Sequence, residues 1–170
     1  MSGFPSRRSN GPIVVSSAVL LASFLVACGG AKLTDSAIPS GKTAPPITLV
    51  EMKGMPADKA QMLTELVAEA AGKRDVAIVQ GAFGEGYRLD GSFTVSVEGK
   101  TATIGYQWTL ADATGHLVHS ISGSESAGAA KGNPWAAAAP EVLGRIAEGT
   151  ANNLAYRLSE LGYATRAGSN

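Results

Sequence analysis

Two runs of alternating residues face each other across a turn. Leu89, Gly91, Phe93, Val95 and Val97 take every second position of the first, and Ala102, Ile104, Tyr106, Trp108 and Leu110 every second position of the other. A side-chain period of two sends each set to one face of a strand. Glu98-Gly99-Lys100 between them supplies turn chemistry, so the runs are expected to close as an antiparallel hairpin. The apolar face of such a hairpin has to be covered, and a helical layer is the usual cover.

The flanking segments supply that layer. Pro46 to Met52 alternates until Gly54 and Pro56 interrupt it, a first strand. Leu63, Leu66, Val67 and Ala70 then form a helical face, with Asp58 and Gln61 spaced as a capping box and Gly72 as the C′ residue. Val76 to Val79 reads as a short strand buried on both faces, Gly81 to Gly86 as a loop, and Leu117 to Gly123 as a third run after the turn at Asp112 to Gly115. Leu143, Ile146, Ala147, Thr150, Leu154, Leu158 and Leu161 keep helical spacing, with Asn133-Pro134 as an N-cap and N1 pair and Pro140 restarting the helix. The order predicts an α+β fold, a single mostly antiparallel sheet covered on one face by two helices.

The first 45 residues have another purpose. Arg7 and Arg8 form a positive n-region, and Ile13 to Ala27 an apolar stretch of 15 residues. That is shorter than the roughly 20 residues a membrane-spanning helix needs, which favours a cleaved signal peptide over residues 1–27. Leu25-Val26-Ala27-Cys28 resembles the bacterial lipobox, which implies thioether attachment of diacylglycerol to Cys28, cleavage before it and acylation of the new amino terminus. Several acyl chains, at about 0.8 kcal/mol per buried methylene, hold a protein on a membrane as one chain does not. Residues 28–45 are then the lipidated cysteine and a Gly-, Ala-, Ser- and Pro-containing tether, and 46–170 the folded domain. Gly29 is not the aspartate associated with inner-membrane retention in enteric bacteria, so the expected address is the periplasm-facing envelope, at the outer rather than the inner membrane.

The run Tyr87 to Gly91, the segment Tyr106-Gln107-Trp108 leading to Leu110 to Gly115, then His119 to Glu125, Asn133-Pro134-Trp135 and the closing amphipathic helix resemble short lipoproteins of alphaproteobacteria that carry no assigned function. The layout of residues 46–162 is also similar in topology to the amino-terminal domain of TolB and to the curli-secretion and penicillin-binding-protein-activator lipoproteins. The resemblance implies an envelope setting and carries no functional residue across.

Composition narrows the partners. Whole-chain charge is balanced at 14 basic and 14 acidic residues, and loss of Arg7 and Arg8 with the signal leaves a mature chain at −2. No basic block offers the footprint of a nucleic-acid binder. With one cysteine, an internal disulfide is impossible. His116 and His119, three residues apart where a turn enters a strand, fall on opposite faces and make poor partners for a metal. Gly81, Gly84 and Gly86 lead into a strand, whereas phosphate loops lead into a helix N-terminus. No nucleophile elbow surrounds Ser120 to Ser126, and Asp90, Asp112, Glu125 and Glu141 read as turn, cap or surface residues. No cofactor, metal or catalytic residue is therefore expected.

The expected function is a non-enzymatic binding or accessory module for another envelope protein or polymer, held at the membrane by its lipid. A small periplasmic hydrolase acting on envelope polymers is the alternative. The segment Ser122 to Trp135, rich in Gly, Ala and Ser, reads as a mobile loop. Trp135 at its end is the candidate partner contact, because loops carry binding residues and Trp is enriched at interface hot spots. The competing expectation for Trp135 is that it folds back to plug the sheet edge.

Overall fold

The computed structural model of the chain describes residues 41–129 and 132–166. The expected signal peptide, Cys28 and the expected tether up to residue 40 lie outside the described residues. Five strands and two helices follow one another as β1 (Ile47–Lys53), α1 (Ala57–Gly72), β2 (Ile78–Gln80), β3 (Tyr87–Glu98), β4 (Thr101–Ala111), β5 (Leu117–Ala129) and α2 (Pro140–Glu160), with a 3-10 turn at Pro134–Ala137 before α2. The fold is α+β, one sheet with both helices packed against it.

The sheet order is β2-β1-β3-β4-β5. β1 pairs with both β2 and β3 in parallel, while β3, β4 and β5 form an antiparallel meander. The sheet is thus mixed: its long ladders are antiparallel, as expected, but the β1-α1-β2 segment is a parallel crossover unit. A helix between two adjacent parallel strands must lie on one face of the sheet, which is why α1 ends up beside α2.

Several local expectations change. The capping box does not form: Pro56 is the N-cap residue without a side-chain bond, and Gln61 instead donates to Glu65 at 3.2 Å. Gly72 still belongs to α1, and the left-handed position falls at Asp75 (φ 59°), a residue type that tolerates it. β2 is an edge strand and not a strand buried on both faces, because only β1 lies beside it and Val79 is exposed. The largest correction concerns Ser122 to Trp135. Its first eight residues continue β5 to Ala129 and pair with β4 as far as Thr101, so the expected loop is mostly strand.

The core fills the space between the sheet and the helices. Leu63, Val67, Ala70 and Ala71 of α1 and Leu143, Ile146, Ala147, Ala151, Leu154, Ala155 and Leu158 of α2 bury against Ile47, Leu49, Leu89, Phe93, Ile104, Trp108, Leu110 and Ile121. Leu161, which the helical spacing included, lies just past α2 and is exposed. Arg74 joins the two helices through Asn152 (2.6 Å) and Glu148 (2.7 Å), and it also donates to the Ala70 carbonyl. The described chain begins ahead of β1. The Lys42 N–H donates to Gly162 O at 3.2 Å and the Ala164 N–H to Lys42 O at 2.8 Å, so this segment is fastened beside the end of α2.

Candidate functional site

With the helices on one face, the opposite face of the meander faces outward, and its side chains follow from the register. Ser92, Thr94 and Ser96 of β3, Thr103, Gln107 and Thr109 of β4, and Ser120, Ser122, Ser124 and Ser126 of β5 alternate with the buried set. A shift in the β1–β3 register between Leu49 and Glu51 places Glu51 beside Asp90 and Lys53 beside Ser92. The resulting depression, of about 330 Å³, is lined by Glu51, Lys53, Arg88, Asp90, Ser92, Gln107 and Thr109. Arg88 donates to both carboxylate oxygens of Asp90, at 2.6 and 2.9 Å, and Lys53 lies 3.1 Å from Glu51. The hydrogen bond and charge of Asp90 hold the Arg88 guanidinium yet more firmly in its charged form. Such a surface offers paired donors and acceptors.

A second concavity, of about 440 Å³, lies at the other side of β1, between the strand and the first half of α1. β2 ends at Gln80, opposite Leu49, and Gly81 (φ 139°) takes the chain away. β1 continues to Lys53. The gap left by the short strand is lined by Leu49 to Met52, Ala60, Gln61, Thr64, Glu65 and Gln80.

The residues singled out from sequence stand apart from one another. Asp112 accepts from the Thr114 hydroxyl (2.6 Å) and from the Thr114 and His116 N–H groups, closing the turn before β5, and these bonds lower its pKa. Glu125 is bonded to Arg145 of α2 at 2.7 Å, and Glu141 lies in the first turn of α2. His116 is exposed, with Nδ1 2.9 Å from Thr114 Oγ1, while His119 lies on β5 opposite Leu110. Among the described residues no three His, Cys, Asp or Glu side chains gather as a metal site. Trp135 sits in the 3-10 turn, its N–H bonded to Asn133 Oδ1 at 3.0 Å, half-buried against the core. Asn133 thus caps as the sequence suggested, but it caps the short turn, and Pro140 starts α2.

A third polar group was missed in the sequence. Tyr87 and Tyr163 meet with hydroxyls 3.3 Å apart and rings edge to face. Burial, and then the bond to Tyr163, push the Tyr87 pKa up to about 12. The two residues are 76 positions apart, so no local pattern could bring them together.

The chain is defined at this level as an α+β domain with one helix-covered sheet face and one open polar face. No family model matches it, and no curated relative matches it. Among solved structures it is similar to the PelC dodecamer from Paraburkholderia phytofirmans at 12% identity and a TM-score of 0.44, over 65% of this chain and 90% of that one. A minor lipoprotein from Acinetobacter baumannii is similar at 12% identity and a TM-score of 0.37, over 68% and 93% of the two chains. Among the described residues no helix is long and apolar enough to cross a membrane.

Proposed function

We propose that this chain is a membrane-anchored envelope lipoprotein, lipidated on Cys28, whose domain is a non-catalytic binding or accessory module for another envelope protein or polymer. The observation that carries the reading is the division of the sheet into a buried face and an open one. The helices take up the apolar side chains, and the other face presents short hydroxyls, Gln107 and the Arg88–Asp90 and Glu51–Lys53 pairs, a surface of hydrogen-bond donors and acceptors open to a partner. The Gly-, Ala-, Ser- and Pro-containing composition between Cys28 and the domain suits a tether that would keep the domain near the bilayer.

Two measurements test it. Cys28→Ser is expected to abolish lipid attachment and membrane association while leaving the domain folded; a variant that remains in the membrane fraction after signal cleavage overturns the anchor. A photo-crosslinking residue at Gln107 is expected to capture an envelope component in cells, and one at Trp135 tests whether its exposed part contributes. Absence of adducts at both positions, with the protein at its normal level, would remove the binding reading.

A further inference from the structure

We infer that the free edge of β5 pairs with the same edge of a second copy of this chain, antiparallel and about a two-fold axis at Ser122. β5 has β4 on one side and, among the described residues, no strand on the other. Its two register shifts fall opposite Leu110/Ala111 and Ala102/Thr103, so His119 to Ser126 runs along β4 without interruption. In an antiparallel ladder alternate residues turn their N–H and C=O groups toward the neighbouring strand, and the residues between turn theirs away. The Ser126 carbonyl accepts from Arg145 of α2 at 3.1 Å, which sets it on the side away from β4. By alternation Ser120, Ser122 and Ser124 present their N–H and C=O groups at that same edge. Lys and Pro are common guards of an exposed edge, and from Leu117 to Ala129 there is neither.

This edge is complementary to itself. Arg145 closes it at Ser126, so an incoming strand meets the backbone groups of Ser120, Ser122 and Ser124. The register that uses all three on both copies sets Ser122 opposite Ser122 and Ser120 opposite Ser124. It also sets His119 opposite Glu125. These two lie on one face, the helix-covered one, because their β4 partners are Leu110 and Ile104, which are buried there. Directly opposed residues bring their Cβ atoms to about 4.5–5.5 Å, close enough for an imidazole to bond a carboxylate. Arg145 Nε holds Glu125 Oε2 at 2.7 Å, and among the described residues Oε1 has no partner, which leaves it for His119 of the second copy. On the open face the opposed side chains are serines, short enough not to clash and able to bond hydroxyl to hydroxyl. One strand therefore carries both halves of every pair, and a two-fold axis makes each contact twice, as an isologous interface requires. That self-complementarity commits the edge to a copy of itself. Both pairs of helices then lie on the same side of the joined sheet, and the two open polar faces become continuous.

The test is sedimentation equilibrium of the full chain in density-matched detergent, over a concentration series. A monomer–dimer equilibrium is expected. Ser122→Pro removes an N–H that faces away from β4, a position where an edge strand tolerates Pro, and should leave a folded monomer. His119→Glu puts like charges opposite each other twice per dimer and should weaken it about tenfold, while His119→Lys should preserve it. The His119 pair keeps the test open should the Pro variant fail to fold. Ser122→Cys is expected to join two chains through a short bismaleimide, with the wild-type chain as the blank for Cys28 and Ser96→Cys, on the inner strand β3, giving no dimer. A wild-type chain that stays monomeric, a dimer indifferent to the Pro and His119→Glu changes, or equal crosslinking from Ser96 overturns the inference. Gln107 capture of a molecule other than this chain reports on the binding reading separately. Its persistence with a monomeric chain sinks the dimer alone, and its loss with an intact dimer sinks the binding reading alone.

Discussion

Gly91 and Trp108 are direct cross-strand partners, and the indole covers the glycine: a Cβ built at Gly91 would come within 2.7 Å of the indole ring and 2.8 Å of Phe93. Phe93 meets the same indole edge to face at 5.2 Å. Tyr106 covers Gly123 on the other neighbouring strand in the same manner, its ring carbon 2.6 Å from a built Cβ. An aromatic laid over an opposed glycine restores the packing the glycine lacks. Gly91→Ala is accordingly expected to lower stability by about 1–3 kcal/mol through overpacking, read as a lower urea midpoint with unchanged slope. Tyr87 makes a separate prediction. Its pKa, about 12 in the fold, is above the roughly 10 of an unfolded chain, so the fold favours the neutral phenol. The associated stability is complete below pH ~10 and is lost as pH rises toward 12. An absorbance titration of tyrosinate should show a late component that Tyr87→Phe diminishes, the remainder belonging to Tyr106, whose pKa burial also raises.

At the scale of elements, α2 is the main cover of the sheet. Leu154 is wholly buried among Leu143, Ile146, Leu158 and the strands. Leu154→Ala should cost about 2–5 kcal/mol, and an unchanged denaturation midpoint would contradict the packing described. α2, α1 and the β3–β4 hairpin were legible because their apolar residues recur with the period of the element that carries them. β5 was legible only to Gly123. From Ser122 to Ala129 its Ser, Gly and Ala side chains hold no apolar alternation, and what makes the segment a strand is the ladder to β4, a partner the segment itself does not encode. The capping box failed for a related reason. Pro56 fixes the start of α1 at Ala57, so Asp58 falls inside the first turn rather than at its cap.

For the molecule as a whole, closure depends on contacts between distant ends of the chain. Arg166 makes a two-pronged contact with Asp75, at 2.6 and 2.8 Å, and its N–H donates to Arg74 O at 3.0 Å, tying the tail to the end of α1. The bond to Arg166 lowers the Asp75 pKa. A depressed carboxylate adds stability above its unfolded value of about 3.9 and loses it as pH falls through the folded value. Below pH ~4 the tail is thus expected to loosen, seen as faster exchange of the Arg166 amide, and Asp75→Asn should give that faster exchange at neutral pH as well.

Sequence alone determined the features written in neighbouring residues. These are the hairpin from its period of two, the helices from their period near 3.6, and the restart at Pro140. Tertiary structure decided what depends on residues far apart. It put β1 between β2 and β3 in parallel, extended β5 along β4, brought Tyr87 to Tyr163, and set Trp135 against the core. It also left β1 longer than its neighbour β2. The physical reason is that periodicity states which face of an element is apolar, whereas strand order and strand ends are chosen by how all the apolar faces are buried at once.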